Sequence, residues 1–175
     1  TDLTYLSDGG SQQIDDDGDS TRVWWASPRF QVAPEDDWVG SMQPWTAGVT
    51  ITLTIANSGD VVYTDSQVTD TNGNFNFNLW GVFDLEPGQV VTVSDGIFTK
   101  THTLAPLAVS EINLTSETVS GLGAPEYDLE VWVHGDGSAY PPVNSDGSWT
   151  ADFSGQTDLT AFSDGGARQV DEEGD

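Results

Sequence analysis

The chain has 175 residues, and 29 acidic against 4 basic side chains give it a formal net charge of −25. That charge excludes nucleic acid as a partner, because almost nothing neutralises phosphates, and it excludes anionic membrane surfaces. No cysteine is present, which excludes disulfides, thiolate metal sites and a Cys nucleophile, while 36% hydrophobic and 10% aromatic residues suffice for packed cores.

Strand-type periodicity runs through almost the whole chain. Thr21 to Ala26 is the first strand, and Trp24 and Trp25 are adjacent on it, so they point to opposite faces and cannot both be core. From Gly48 to Ala56 alternation is perfect: Val49, Ile51, Leu53 and Ile55 share one face, Thr50, Thr52 and Thr54 the other. Asn74 to Leu79 turns Phe75, Phe77 and Leu79 inward and its asparagines outward. Val90 to Val93, Ile97 to Leu104 and Leu107 to Leu114 follow as further strands. Leu129, Val131 and Val133 form an inner face opposite Glu130, Trp132 and His134, and Trp149, Ala151 and Phe153 repeat the pattern. Asn72-Gly73, Asp146-Gly147 and Glu86-Pro87-Gly88 mark turns. No window carries a 3.6-residue apolar stripe. No apolar run approaches the ~20 residues of a membrane helix, so no membrane insertion is expected. The N-terminus has no basic region leading into an apolar stretch, and any export signal is expected outside this chain or removed from it.

An internal repeat organises these elements. Residues 1–19, TDLTYLSDGGSQQIDDDGD, and residues 157–175, TDLTAFSDGGARQVDEEGD, align without a gap. The chain therefore reads as one 156-residue period of a tandem array plus a short overlap. A weaker half-period lies inside it: Asn72-Gly73 and Asp146-Gly147 are 74 residues apart, as are Asp84-Leu85 and Asp158-Leu159. Three segments result. Residues 1–28 are the C-terminal strands of a preceding module, 29–106 a complete sandwich, and 107–175 a second sandwich lacking its last strand.

A strand of alternating Val/Ile and Thr is followed by Asp70-Thr-Asn-Gly-Asn-Phe-Asn-Phe-Asn-Leu79 and by Asp84-Leu85-Glu-Pro-Gly-Gln-Val-Val-Thr-Val-Ser-Asp-Gly96. This grammar resembles the bacterial Ig-like and carboxypeptidase-regulatory-like modules strung along large secreted surface proteins. Asp146 to Phe153 matches in the second module. There, however, the Gly-Gln-Val-Val-Thr-Val strand is replaced by Gly165-Gly-Ala-Arg-Gln-Val-Asp-Glu-Glu-Gly-Asp. The resemblance implies an all-β fold of two tandem Ig-like antiparallel β-sandwich modules, the second interrupted by the chain ends. It also implies an extracellular, non-enzymatic, modular role.

Two groups of residues are candidates for chemistry. Asp15, Asp16, Asp17 and Asp19 place four carboxylates in five residues around Gly18, enough to gather oxygens for Ca²⁺. Asp15, Asp17 and Asp19, with the matching Asp171, Glu173 and Asp175, are the expected ligands; a solvated acidic turn is the alternative. The 12-residue spacing of an EF-hand is absent. The second group is aromatic: Val23, Trp24, Trp25 and Trp132 are expected at an interface with a neighbouring module or subunit, glycan stacking being the alternative. Signatures of catalysis are missing: no G-x-S-x-G, no H-E-x-x-H and no phosphate-cradling loop occurs. His102 and His134 read as strand surface residues.

The reading that accounts for period, overlap and acidic loops together is a structural repeat unit of an extracellular fibre, adhesin stalk or surface-layer-like assembly. It would contact itself head to tail and be rigidified by Ca²⁺. A carbohydrate-binding module using the exposed tryptophans is the alternative, and a carboxylate-based hydrolase ranks last.

Overall fold

In the computed structural model, which describes residues 8–171, strands dominate and no α-helix occurs among those residues. In chain order the strands are β1 (Asp8–Ile14), β2 (Ser20–Ala26), β3 (Arg29–Ala33), β4 (Trp38–Gln43), β5 (Thr50–Asn57), β6 (Asp60–Val68), β7 (Asn76–Asn78) and β8 (Val90–Ser94). They continue with β9 (Thr99–Thr103), β10 (Ala108–Asn113), β11 (Thr118–Leu122), β12 (Asp128–Val133), β13 (Gly137–Ala139), β14 (Ser148–Asp152) and β15 (Gly165–Val170). One 3₁₀ turn, Pro34–Asp36, separates β3 from β4. The chain divides into two compact units with the boundary between Thr103 and Leu104.

The first unit pairs a sheet of order β3-β4-β7 with one of order β6-β5-β8-β9, every pair antiparallel. Alternation decides what lies between them. Ile51, Leu53 and Ile55 from β5 and Val91 and Val93 from β8 are buried, as are Phe30, Val39, Phe75, Phe77 and Leu79 from the other layer. Val49, expected among them, is only half-buried, because it precedes the first paired residue of β5. Each fully buried Val, Leu, Ile or Phe contributes about 1.5–3 kcal/mol, so these residues carry the unit.

The second unit repeats the plan with sheets β10-β11-β14 and β13-β12-β15. Its core joins Val119, Leu129, Val131, Val133, Trp149, Ala151, Phe153 and Leu159. The half-period seen in the sequence is a half-period of backbone. Gly73 N–H donates to Asp70 C=O and Gly147 N–H to Asn144 C=O; Phe83 N–H donates to Leu79 C=O and Thr157 N–H to Phe153 C=O. Leu85 and Leu159, 74 residues apart, are both buried. The Trp149 indole N–H is buried without an acceptor among the described residues.

One element departs from the sequence reading. Gly165 to Val170 lacks the alternation of its counterpart in the first module, yet it forms β15 against β12, from Val133↔Gly165 to Asp128↔Val170. The reason is tertiary. A Cβ at Gly166 would come within 2.6 Å of the Trp132 ring, so glycine lets that ring lie across the strand. Arg168 bonds Glu130, and Gln169 bonds both the N–H and the C=O of Ala124.

Candidate functional site

The acidic loop closes the hairpin β1–β2. Ile14 pairs with Ser20, leaving Asp15 to Asp19 to reverse the chain around Gly18, whose φ of +96° favours glycine. Asp15 N–H donates to Asp19 C=O at 3.0 Å, and Asp19 N–H donates to Asp15 Oδ1 at 2.9 Å. The turn brings one carboxylate oxygen from each of Asp15, Asp17 and Asp19 within 4.8 Å of the others, all three exposed. Asp15 is held below its ordinary carboxyl range chiefly by a hydrogen bond with the Asp17 side chain. Slight burial opposes this, and the N–H groups of Asp19, Asp17 and Gly18 add to it.

Three carboxylates so close offer three to six oxygens, a donor set suited to a hard cation such as Ca²⁺ completed by water. The second copy of the loop begins at Asp171, half-buried directly after β15. Burial pushes the Tyr127 phenol up, and the charges of Asp171 and Glu126 push it further. Glu173 and Asp175 lie outside the described residues.

The aromatic candidates sort by face. On β2, Val23 is 63%, Trp24 70% and Trp25 44% exposed. Trp24 stands over its cross-strand partner Gly10, with the Arg22 guanidinium 5.2 Å from its ring centre; Trp25 stands over its partner Gly9 and shares its face with Val23. Trp132 is half-buried on the outer face of β12, over Gly166. The glycines beneath these rings were legible in the sequence only as identities between Ser7-Asp-Gly-Gly and Ser163-Asp-Gly-Gly. Their role as ring seats appears only once the strands pair.

Glu130 is a functional-looking group that sequence reasoning missed. Burial pushes its carboxyl up, but hydrogen bonds from Ser138, Arg168 and Tyr140 and the Arg168 charge outweigh this and hold it low. Arg168 Nε approaches Glu130 Oε2 at 2.7 Å, tying β15 to β12. His134 Nδ1 lies 2.8 Å from Asp164 Oδ2, with both side chains exposed. The His102 ring meets Phe30 edge-on at 6.5 Å.

An open groove of about 470 Å³ in the first unit is lined by Trp38, Gln67, Asp70, Asn74 and Asn76. Its carboxylate, Asp70, is committed to the turn: it accepts from the N–H groups of Asn72 and Asn74, each at 2.8 Å. Asn72-Gly73 thus serves hairpin geometry, and a Cβ at Gly73 would come within 2.0 Å of the Trp45 carbonyl oxygen. No helix among the described residues is long and apolar enough to cross a membrane.

No protein-family model matches the chain, and no curated protein matches it. Among solved structures, a tetra-tandem repeat in the extending region of a large adhesion protein aligns with 98% of this chain at 16% identity and a TM-score of 0.27. The chain spans 59% of that chain's length.

Proposed function

We propose that this chain is a structural, non-enzymatic repeat unit of an extracellular bacterial or archaeal fibre, adhesin stalk or surface-layer-like assembly, joined head to tail to further copies. One observation carries the reading: β1 (Asp8–Ile14) and β15 (Gly165–Val170) fall at matching places in two gapless copies of one segment, 1–19 and 157–175, and both are strands. In the same way β3 to β8 and β10 to β15 follow one plan of sheets. Repetition at both scales is what an array built by stacking identical modules requires. Ca²⁺ held by Asp15, Asp17 and Asp19 belongs to this reading as a stiffener of the hairpin turn, and net acidity suits a cation-rich exterior.

The test is mechanical. Several 156-residue periods in one polypeptide, pulled from the ends, should unfold in a regular series of two events per period. Each event should release about 25 nm, given the ~3.5 Å that an extended residue spans. An unpatterned extension, or saturable binding of the chain to an arrayed glycan, would overturn the proposal.

A further inference from the structure

Among the asparagines of the chain only Asn113 is followed at the second position by a hydroxyl side chain, in Asn113-Leu114-Thr115. That triplet is the acceptor pattern for an N-linked saccharide, a modification found on surface loops of exported proteins. The triplet matters only if its amide is presented, and the fold decides that.

Asn113 closes β10 and pairs with Thr118, which opens β11, so Leu114 to Glu117 form the loop between them. Leu114, Thr115 and Ser116 are exposed, and Asn113 is half-buried. Asn113 Oδ1 accepts from the N–H groups of Thr115 at 3.0 Å and Ser116 at 3.1 Å, the turn that asparagine makes with its own backbone. These bonds anchor the oxygen in the loop. The other end of the amide, Nδ2 with its two donors, has no partner among the described residues. Elsewhere Asn74 and Asn144 commit their Nδ2 groups to Asp70 and Ser148.

The surroundings suit an attached sugar. Side chains alternate along β10, so Glu111 and Asn113 lie on one face, and Ile112 between them pairs with the buried Val119 on the other. The face that carries Asn113 continues through Thr118, Ser120 and Thr150, with Ser120 Oγ 3.0 Å from Thr150 Oγ1. It therefore offers an exposed carboxylate that a transferase can grip and a row of hydroxyls beside which a saccharide stays hydrated. The first module has no acceptor at the matching place. Ala33 pairs with Trp38 as Asn113 pairs with Thr118, and Pro34–Asp36 turn the chain there.

We propose that Asn113 is a glycosylation site whose Nδ2 takes a saccharide from a polyprenyl-diphosphate-linked donor, delivered by a membrane-bound transferase. The bond from Nδ2 to the anomeric carbon forms as the bond from that carbon to the diphosphate oxygen breaks. The lipid diphosphate leaves with the electron pair, and one amide proton passes to a base of the transferase. From the repeat-unit reading this takes only the export of the chain.

The folded full chain is the substrate for the test. Incubation with a bacterial oligosaccharyltransferase in detergent and a polyprenyl-diphosphate-linked oligosaccharide should raise its intact mass by one glycan, mapped to Asn113 by peptide mass spectrometry. Asn113→Gln should lose the modification, and so should Thr115→Ala. The Thr115 variant is decisive, because both turn bonds use backbone N–H groups and survive the change; equal melting temperatures of the unmodified proteins check that they do. Thr115→Ser, which restores a hydroxyl, should be modified again. A wild type that stays unmodified, a glycan attached elsewhere than Asn113, or equal modification of Thr115→Ala would overturn the proposal and leave Asn113 a turn residue alone. The pulling experiment uses unmodified chains, so its failure and the failure of this proposal are separate results.

Discussion

Asp37 and Glu117 occupy one structural position in two modules. Each has a left-handed backbone, with φ of +48° and +54°. Each carbonyl accepts from a core residue's N–H, that of Leu79 at 2.8 Å and that of Phe153 at 2.9 Å. The tight reversal into β4 and into β11 is thus built alike, although the two side chains differ.

Their side chains predict opposite outcomes for one substitution. The Asp37 carboxylate accepts from the Leu85 N–H at 2.9 Å, whereas Glu117 is half-buried and its carboxylate caps no such N–H among the described residues. Glu117→Gly relieves left-handed strain and should stabilise by up to about 1 kcal/mol after glycine's larger unfolded-state entropy is subtracted. Asp37→Gly forfeits a hydrogen bond worth about 1 kcal/mol and should give no gain. Urea midpoints of the two variants check this; a rise for Asp37→Gly would contradict it.

The two faces of β7 should respond unequally. Phe77 is 3% exposed, and Phe77→Ala should destabilise by ~3–5 kcal/mol. Asn76 is exposed and accepts from the Trp38 indole N–H at 2.9 Å, so Asn76→Ala should lose only about 1 kcal/mol. Equal losses in denaturant titrations would refute the two-faced strand.

Acid should act through the turn carboxylates. Asp70 is held below its ordinary value of 3.8 chiefly by the Asn74 N–H, against slight burial and with help from Asn72. A depressed carboxyl contributes stability that is present above 3.8 and lost as pH falls through its lower folded-state value. The melting-temperature gap between the wild type and Asp70→Ala should therefore hold steady near neutrality and close below that pH. A gap that widens on acidification would show that the capping bonds do not favour the charged form.

Calcium offers a fourth check. If Asp15, Asp17 and Asp19 hold Ca²⁺, the melting temperature should climb with free calcium by mass action, while Mg²⁺, which demands a rigid octahedron, should do much less. Asp17→Asn should abolish the rise. An equal response to Mg²⁺, or to NaCl at matched ionic strength, would mean charge screening alone.

What the sequence by itself determined is local. Perfect alternation from Val49 to Ile55 and from Phe75 to Leu79 marked the buried faces, because side chains of a strand point alternately up and down. Asn72-Gly73 and Asp146-Gly147 marked turns, because their glycines accept positive φ, +82° and +85° here. The match of residues 1–19 to 157–175, at an offset of 156, made the segments of β1 and β15 equivalents before either was seen as a strand.

What only the tertiary structure decided depends on residues far apart. Gly165 to Val170 carries no alternating pattern, and it is a strand because the Trp132 ring, Glu130 and Ala124 hold it. Trp24 and Trp25 lie on opposite faces by strand geometry alone, but their seats on Gly10 and Gly9 required the register of β1 against β2. The convergence of Asp15, Asp17 and Asp19 likewise required the hairpin to close. Pairing register is a property of two segments at once, whereas periodicity belongs to one; the sequence therefore marked the strands that alternate, and only the fold could add those that do not, such as Gly165–Val170, and say which strands meet.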